Sequence, residues 1–255
     1  MSPTEASVAE PPTALGTTYL YGIVPAGAVD SIASEGVRGA TVTVLAQGGV
    51  AALVSDVSDG ELRMTRKDLR RHLDVIDEAF RETTILPCPF GTTLDSREAV
   101  VEDVLRAKRD ALVAGLADLE GTVQLNVKVR HDERALLRTI VASDPTIARL
   151  RQESANDAAY AVRLELGRQV AGAVEAHREA DAARLMDALA GEALDVAVER
   201  DDALVLKAAF LVARAQQDRF DAVIDRVAAA EQELLRFEVI GPLPPTAFVQ
   251  RVVEV

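Results

Sequence analysis

The 255-residue sequence has one cysteine, Cys88, which excludes any disulfide within the chain. Because Cys88 sits between Pro87 and Pro89 in an apolar run, a buried and inert thiol is expected. Positive charge is scarce: 28 Lys and Arg stand against 41 Asp and Glu, for a formal net charge of -13. That balance is the reverse of the footprint needed on phosphate backbones or anionic lipids, so neither nucleic acid nor a membrane is an expected partner. No run reaches the roughly 18 consecutive apolar residues of a membrane span. The longest, 203–213, is short and is broken by Lys207. His72, His131 and His177 lie far apart with no H-E-x-x-H spacing, so solvated or capping roles are expected rather than metal ligation. No G-x-x-x-x-G-K-[ST] or G-x-G-x-x-G cradles a phosphate, and catalytic, cofactor and metal sites are all absent from the expectation.

What is present suits a folded protein of substantial size. With 49% hydrophobic and 27% charged residues, the chain can bury a large core, and its length fits two medium domains. Residues 1–16 contain Glu5, Glu10 and three prolines without a basic-then-apolar order, which predicts a disordered acidic leader and no signal peptide.

Two copies of one α+β pattern follow. In the first domain, 17–95, the run TTYLYGIV at 17–24 predicts a strand, and 29–34 a short helix. Runs 41–45 and 50–55 flank Gln47-Gly48-Gly49, which predicts an antiparallel hairpin. Leu69, Leu73, Ile76 and Phe80 recur at helical spacing, and 84–86 closes the unit as a strand. A linking helix, 96–120, is expected to start at the N-cap Ser96.

In the second domain, 121–240, Val123, Leu125, Val127 and Val129 alternate with polar residues, the signature of a strand with one wet face. A helix begins at Asp132, is interrupted at Asp144-Pro145, and continues with a stripe of Ala159, Val162, Leu166, Val170, Ala173 and Val174. Residues 194–198 and 203–213 predict a second hairpin, 220–234 a helix, and 237–240 a final strand. Both domains thus read as strand, helix, strand, strand, helix, strand, a pair of ferredoxin-like units with an extended helical segment in the second. The carboxylates at 195–202 read as a solvated hairpin in preference to a cation site.

Three segments stand out, two of them as candidate surfaces. The first is the stripe Val162, Leu166, Val170 and Val174, which could receive a partner helix. The second is the tail 241–255, where Gly241, Pro242, Pro244, Pro245 and Phe248 mark a rigid extended strip, inexpensive to order on binding. The third, with Pro87, Phe90 and Gly91, reads as structural, a stiff connection that inserts Phe90 into a core between the domains.

Tyr19, Tyr21, Gly22 and Ile23 at the start, Leu86, Pro87, Phe90 and Gly91 in the middle, Val127 and Lys128 in the alternating strand, and Gly241, Pro242, Pro244, Pro245 and Phe248 at the end together resemble the GvpF/GvpL family of gas vesicle accessory proteins. The sequence departs from that pattern at Pro89, where a basic residue is frequent, and at Leu243 and Thr246, where aromatics are. The resemblance implies a minor, non-enzymatic protein of the gas vesicle and cytoplasm. It implies binding of the apolar shell protein GvpA, limiting its aggregation during assembly or nucleation, and contact with other accessory proteins. A different reading of the same residues is a ferredoxin-like small-molecule-binding or regulatory protein.

Overall fold

The structure is a computed structural model that describes residues 17–57, 65–154 and 160–249. The expected leader, Ala159 and the last six positions of the tail lie outside them. The chain divides into two units, the first running to Glu120 and the second spanning Gly121–Phe248.

The first unit is built on strands β1 (Thr17–Pro25), β2 (Thr43–Gln47) and β3 (Val50–Val57), helix α1 (Arg66–Glu82), and short strands β4 (Leu86–Pro87) and β5 (Thr93–Leu94). The sheet is antiparallel in the order β2-β3-β1-β4, with β5 also on β1. Gly48 and Gly49 take φ of 61° and 95°, the left-handed pair that a two-residue hairpin requires, so the predicted turn forms between β2 and β3. β1 and β3 are buried along almost their whole length, which is why both read as continuous apolar runs. The helix expected over 29–34 is absent. A single 3₁₀ turn at Val37–Gly39 stands in its place, and the Glu78 carboxylate of α1 accepts the Ala33 and Ser34 amides at 2.7 and 2.8 Å. A segment so short satisfies its backbone from a neighbour at less cost than by nucleating a helix. Thr65 caps α1 through a reciprocal pair with Asp68, whose carboxylate also accepts the Arg38 amide at 3.0 Å.

Ser96 accepts the Ala99 amide as the predicted N-cap. The helix it starts is not uniform: α2 (Arg97–Ala99) passes into a π-helical stretch at Val100–Arg106, and α3 (Arg109–Asp118) follows a non-helical Lys108. The π-helix buries Val100 and Leu105, and α3 packs on β1, β3 and β4 of the first unit.

The second unit comprises β6 (Thr122–His131), α4 (Glu133–Ser143), α5 (Pro145–Ser154), α6 (Tyr160–Ala190), β7 (Asp195–Val198), β8 (Leu206–Ala213), α7 (Gln217–Ala230) and β9 (Leu235–Leu243). Its antiparallel sheet runs β7-β8-β6-β9, the same order as in the first unit once the strands are counted from each unit's start. This is the ferredoxin-like arrangement, with α4 and α5 added before the long α6. Phe210 of β8 meets Phe220 of α7 with ring centres 5.2 Å apart, so the face carrying Val123, Leu125, Val127 and Val129 is the one under the helices. The opposite face carries Gln124, Asn126, Lys128 and Arg130. It is not uniformly wet: Gln124 is buried because its side-chain oxygen accepts the Ala247 amide at 2.9 Å from the chain after β9.

Candidate functional site

The motif around Pro87, Phe90 and Gly91 is built into the first unit. Pro87 stands opposite Gly22 on β1, and the Cys88 amide donates to the Tyr21 carbonyl at 2.9 Å. The Gly91 amide donates at 2.9 Å to the Tyr19 hydroxyl, which lies 3.0 Å from His72 Nδ1. The His72 ring is 5.5 Å from Phe90 and 5.7 Å from both Tyr19 and Tyr21, so Phe90 closes an aromatic cluster over α1. Tyr21 completes it, its hydroxyl 2.8 Å from Ser55 Oγ and accepting the Val37 amide at 2.7 Å.

Burial sets the chemistry of this cluster. It lowers His72 to about 4, raises Tyr19 to about 12 and raises the Cys88 thiol to about 12. His72 is also hydrogen-bonded to the Cys88 backbone, and Nδ1 shares one proton with the Tyr19 hydroxyl. The expectation of a solvated or capping His72 is therefore corrected: the residue is a neutral, buried tie between α1, β1 and the 88–91 turn. Groups held so far from neutrality serve as fixed hydrogen-bond partners and are poor acids or bases.

His131 is corrected in the same way. Its Nε2 lies 2.8 Å from Asp181 on α6, with both side chains nine-tenths buried. Burial raises the Asp181 pKa, but hydrogen bonds from His131 and Arg184 outweigh it and hold the carboxyl below its usual range. Arg184 continues the chain of pairs to Glu231. The side-chain network ties β6, α6 and the end of α7 together.

The candidate stripe on α6 is placed mostly inward. Leu166, Val170 and Val174 pack with Ala173 against Leu136, Ile140 and Ile147 of α4 and α5, and Val162 is half-buried. The stripe closes the unit's own helical layer, because two extra helices supply the apolar surface that it needs. The large apolar side chains that α6 leaves exposed, among the described residues, are Tyr160 and Leu164. In the tail, Gly241 and Pro242 are exposed and belong to β9, whereas Pro244, Pro245 and Phe248 are buried. Gly241 is required by proximity: a Cβ there would lie 2.5 Å from Leu125 Cδ2 and 2.8 Å from the Gln124 carbonyl oxygen.

The carboxylates of 195–202 are taken up by cations and backbone. Glu199 pairs with Lys207 at 2.5 Å, Asp202 lies 3.3 Å from Arg200, and Asp195 accepts the Val196 amide at 2.7 Å. Among the described residues no group of three or more His, Cys, Asp or Glu gathers to hold a metal, and no helix is long and apolar enough to cross a membrane.

The family pattern described as gas vesicle synthesis protein GvpL/GvpF matches residues 17–250. This chain belongs to the GvpL/GvpF family. It is 35% identical over 240 residues to gas vesicle protein F of Streptomyces sp. (strain CB03234), covering 92% of this chain and all of that one. With gas vesicle protein F1 of Halobacterium salinarum the identity is 29% over 239 residues, covering 91% and 92%. The fold is that of the crystal structures of GvpF from Anabaena sp. PCC7120, at a TM-score of 0.81, and from Microcystis aeruginosa, at 0.71; each is 22% identical and covers 92% of this chain. An accessory role in gas vesicles follows from GvpL/GvpF membership.

Within this GvpL/GvpF chain, sequence reasoning passed over one feature of the second sheet. Arg130 and Arg236 stand directly opposite each other on β6 and β9. They are 106 positions apart, and neither carries a motif. Only the sheet register brings them together.

Proposed function

We propose that this chain binds the gas vesicle shell protein GvpA and limits its aggregation while vesicles nucleate and grow. The observation that carries this reading is the GvpL/GvpF match, which spans both units. The physical features support it. A net charge of -13 keeps a complex with an apolar subunit dispersed through mutual repulsion. Apolar side chains left exposed, Val239 and Ile240 on β9 and Tyr160 and Leu164 on α6, offer contact surface in the second unit. In this reading Gly241 and Pro242 belong to the contact, Pro244, Pro245 and Phe248 support it from below, and Val162, Leu166, Val170 and Val174 hold α6 in place beside it. The contact makes and breaks no covalent bond.

The test is co-expression of tagged chain with GvpA. GvpA is expected to co-purify and to scatter less light in the chain's presence. Absence of association, together with normal vesicles after deletion of this chain and its paralogues, rejects the reading.

A further inference from the structure

β9 is a terminal strand of its sheet, and no strand among the described residues pairs with its outer side. The Asp132 amide donates to the Leu234 carbonyl at 2.8 Å, and from there β6 and β9 pair Arg130 with Arg236, Lys128 with Glu238 and Asn126 with Ile240. In an antiparallel ladder the hydrogen-bonded positions alternate. Arg236, Glu238 and Ile240 therefore turn their amides and carbonyls toward β6, and Phe237 and Val239 turn theirs outward. Leu235, the outward position before them, is already satisfied, since its amide donates to the Glu231 carbonyl and its own carbonyl accepts from Arg236. Among the described residues none closes the outer side of Phe237 or Val239. Val239 and Ile240 are 40% and 43% exposed.

Open apolar edges invite strand addition, and proteins ordinarily guard them. The opposite edge of this sheet has such a guard, the Asp195 carboxylate on the Val196 amide. Phe237–Gly241 has neither lysine nor proline until Pro242 ends the run of amide donors.

The charge beside this edge points to the chemistry of the incoming strand. Like charges directly opposite on neighbouring strands are destabilising, and Arg130 faces Arg236. Asp132 answers Arg236 at 2.9 Å, and Glu238 lies 3.5 Å from Lys128, but no carboxylate among the described residues pairs with Arg130. Arg130, Arg236, Lys128 and Glu238 line a cleft of about 230 Å³ with Phe237 and Leu204. With Asp132 on Arg236 and Glu238 on Lys128, Arg130 is the cation of the three that these two carboxylates leave over, in a chain of net charge -13. The pattern calls for an apolar backbone along the edge and an anionic group in the cleft.

We propose that an extended, apolar segment of the shell subunit adds to β9 as a further strand, hydrogen-bonding Phe237 and Val239 and placing a carboxylate against Arg130. This rests on the shell-binding reading above and assigns its site. Addition of a strand supplies affinity through the main chain, and the cleft supplies register.

The experiment uses the full chain and purified shell protein. In the wild-type complex the Phe237 and Val239 amides are expected to slow in hydrogen exchange at least tenfold. Val239→Pro removes an outward amide without touching the ladder to β6, and Arg130→Glu reverses the unpaired charge; each is expected to weaken association at least tenfold with the thermal midpoint retained. If Val239→Pro fails to fold, the exchange measurement and Arg130→Glu decide. Binding within twofold of wild type by the variants, with the two amides unprotected, overturns the edge site and leaves shell binding standing. Failure of the wild-type chain to bind shell protein at all overturns the shell-binding reading and the edge site with it. Protection of the same amides that rises with the concentration of this chain alone identifies a second copy as the occupant and also overturns the proposal.

Discussion

Tyr19 and His72, 53 residues apart, meet at 3.0 Å, and the Tyr19 hydroxyl also accepts the Gly91 amide at 2.9 Å. One phenol thus serves as the junction of β1, α1 and the turn that begins at Pro87. The residues that carry the family pattern at the start and middle of the chain are in this way parts of one construction.

Replacing Tyr19 with Phe keeps the ring and removes the junction. The Gly91 amide and His72 Nδ1 both lose their partner, and for the buried His72 an unsatisfied group costs about 1–3 kcal/mol. Chemical denaturation should show the first unit destabilised by that amount. An unchanged midpoint would mean the hydroxyl has no structural role.

His72 predicts an acid-sensitive first unit. Its folded pKa of about 4 lies below the ordinary histidine value of 6.5, so the unfolded chain binds the extra proton between those values. Stability is full above about 6.5 and falls as the pH drops toward 4, by about 3 kcal/mol in all. Thermal midpoints measured from pH 7 to pH 4 should fall, and His72→Gln should flatten the slope. A slope that survives the substitution assigns the acid sensitivity to other groups.

Asp181→Asn weakens the tie between β6 and α6. Asp181 accepts from His131 at 2.8 Å and from Arg184 at 2.6 Å, and hydrogen bonds to charged groups contribute about 1.5–3 kcal/mol. Amide exchange in the C-terminal half of α6 should accelerate accordingly. Because the folded carboxyl is held below its usual value, its contribution is present above about pH 4 and is lost as the pH falls through the folded pKa. Equal exchange rates in the two proteins would show that the pair does not hold the helix.

Gly241→Ala tests the close approach of β9 to β6. The added methyl meets Leu125 Cδ2 and the Gln124 carbonyl well inside van der Waals contact. Overpacking of this kind costs about 1–3 kcal/mol. The second unit should lose that stability in urea, and a neutral result would mean that the two strands can move apart freely.

Much of the architecture was legible because it depends on local pattern. The alternation at Val123–Val129, the glycine pair at Gly48-Gly49, the cap at Ser96, the helix start at Asp132 and the break at Asp144-Pro145 each dictate backbone geometry within a few residues. The misreadings share a cause. Residues 29–34 look helical in isolation and are held in coil by Glu78, 44–45 positions away. His72 and His131 look solvated in sequence and are buried against partners 53 and 50 positions away.

The candidate surface shows the same boundary. The sequence alone determined the two-unit α+β plan, the acidic balance and the family pattern, since composition, periodicity and turn residues act over short range. Tertiary structure decided that Leu166, Val170 and Val174 face inward, that Phe237 and Val239 present an open edge, and that Arg130 stands opposite Arg236. Those outcomes follow from strand order and register, which arise from pairing between distant segments.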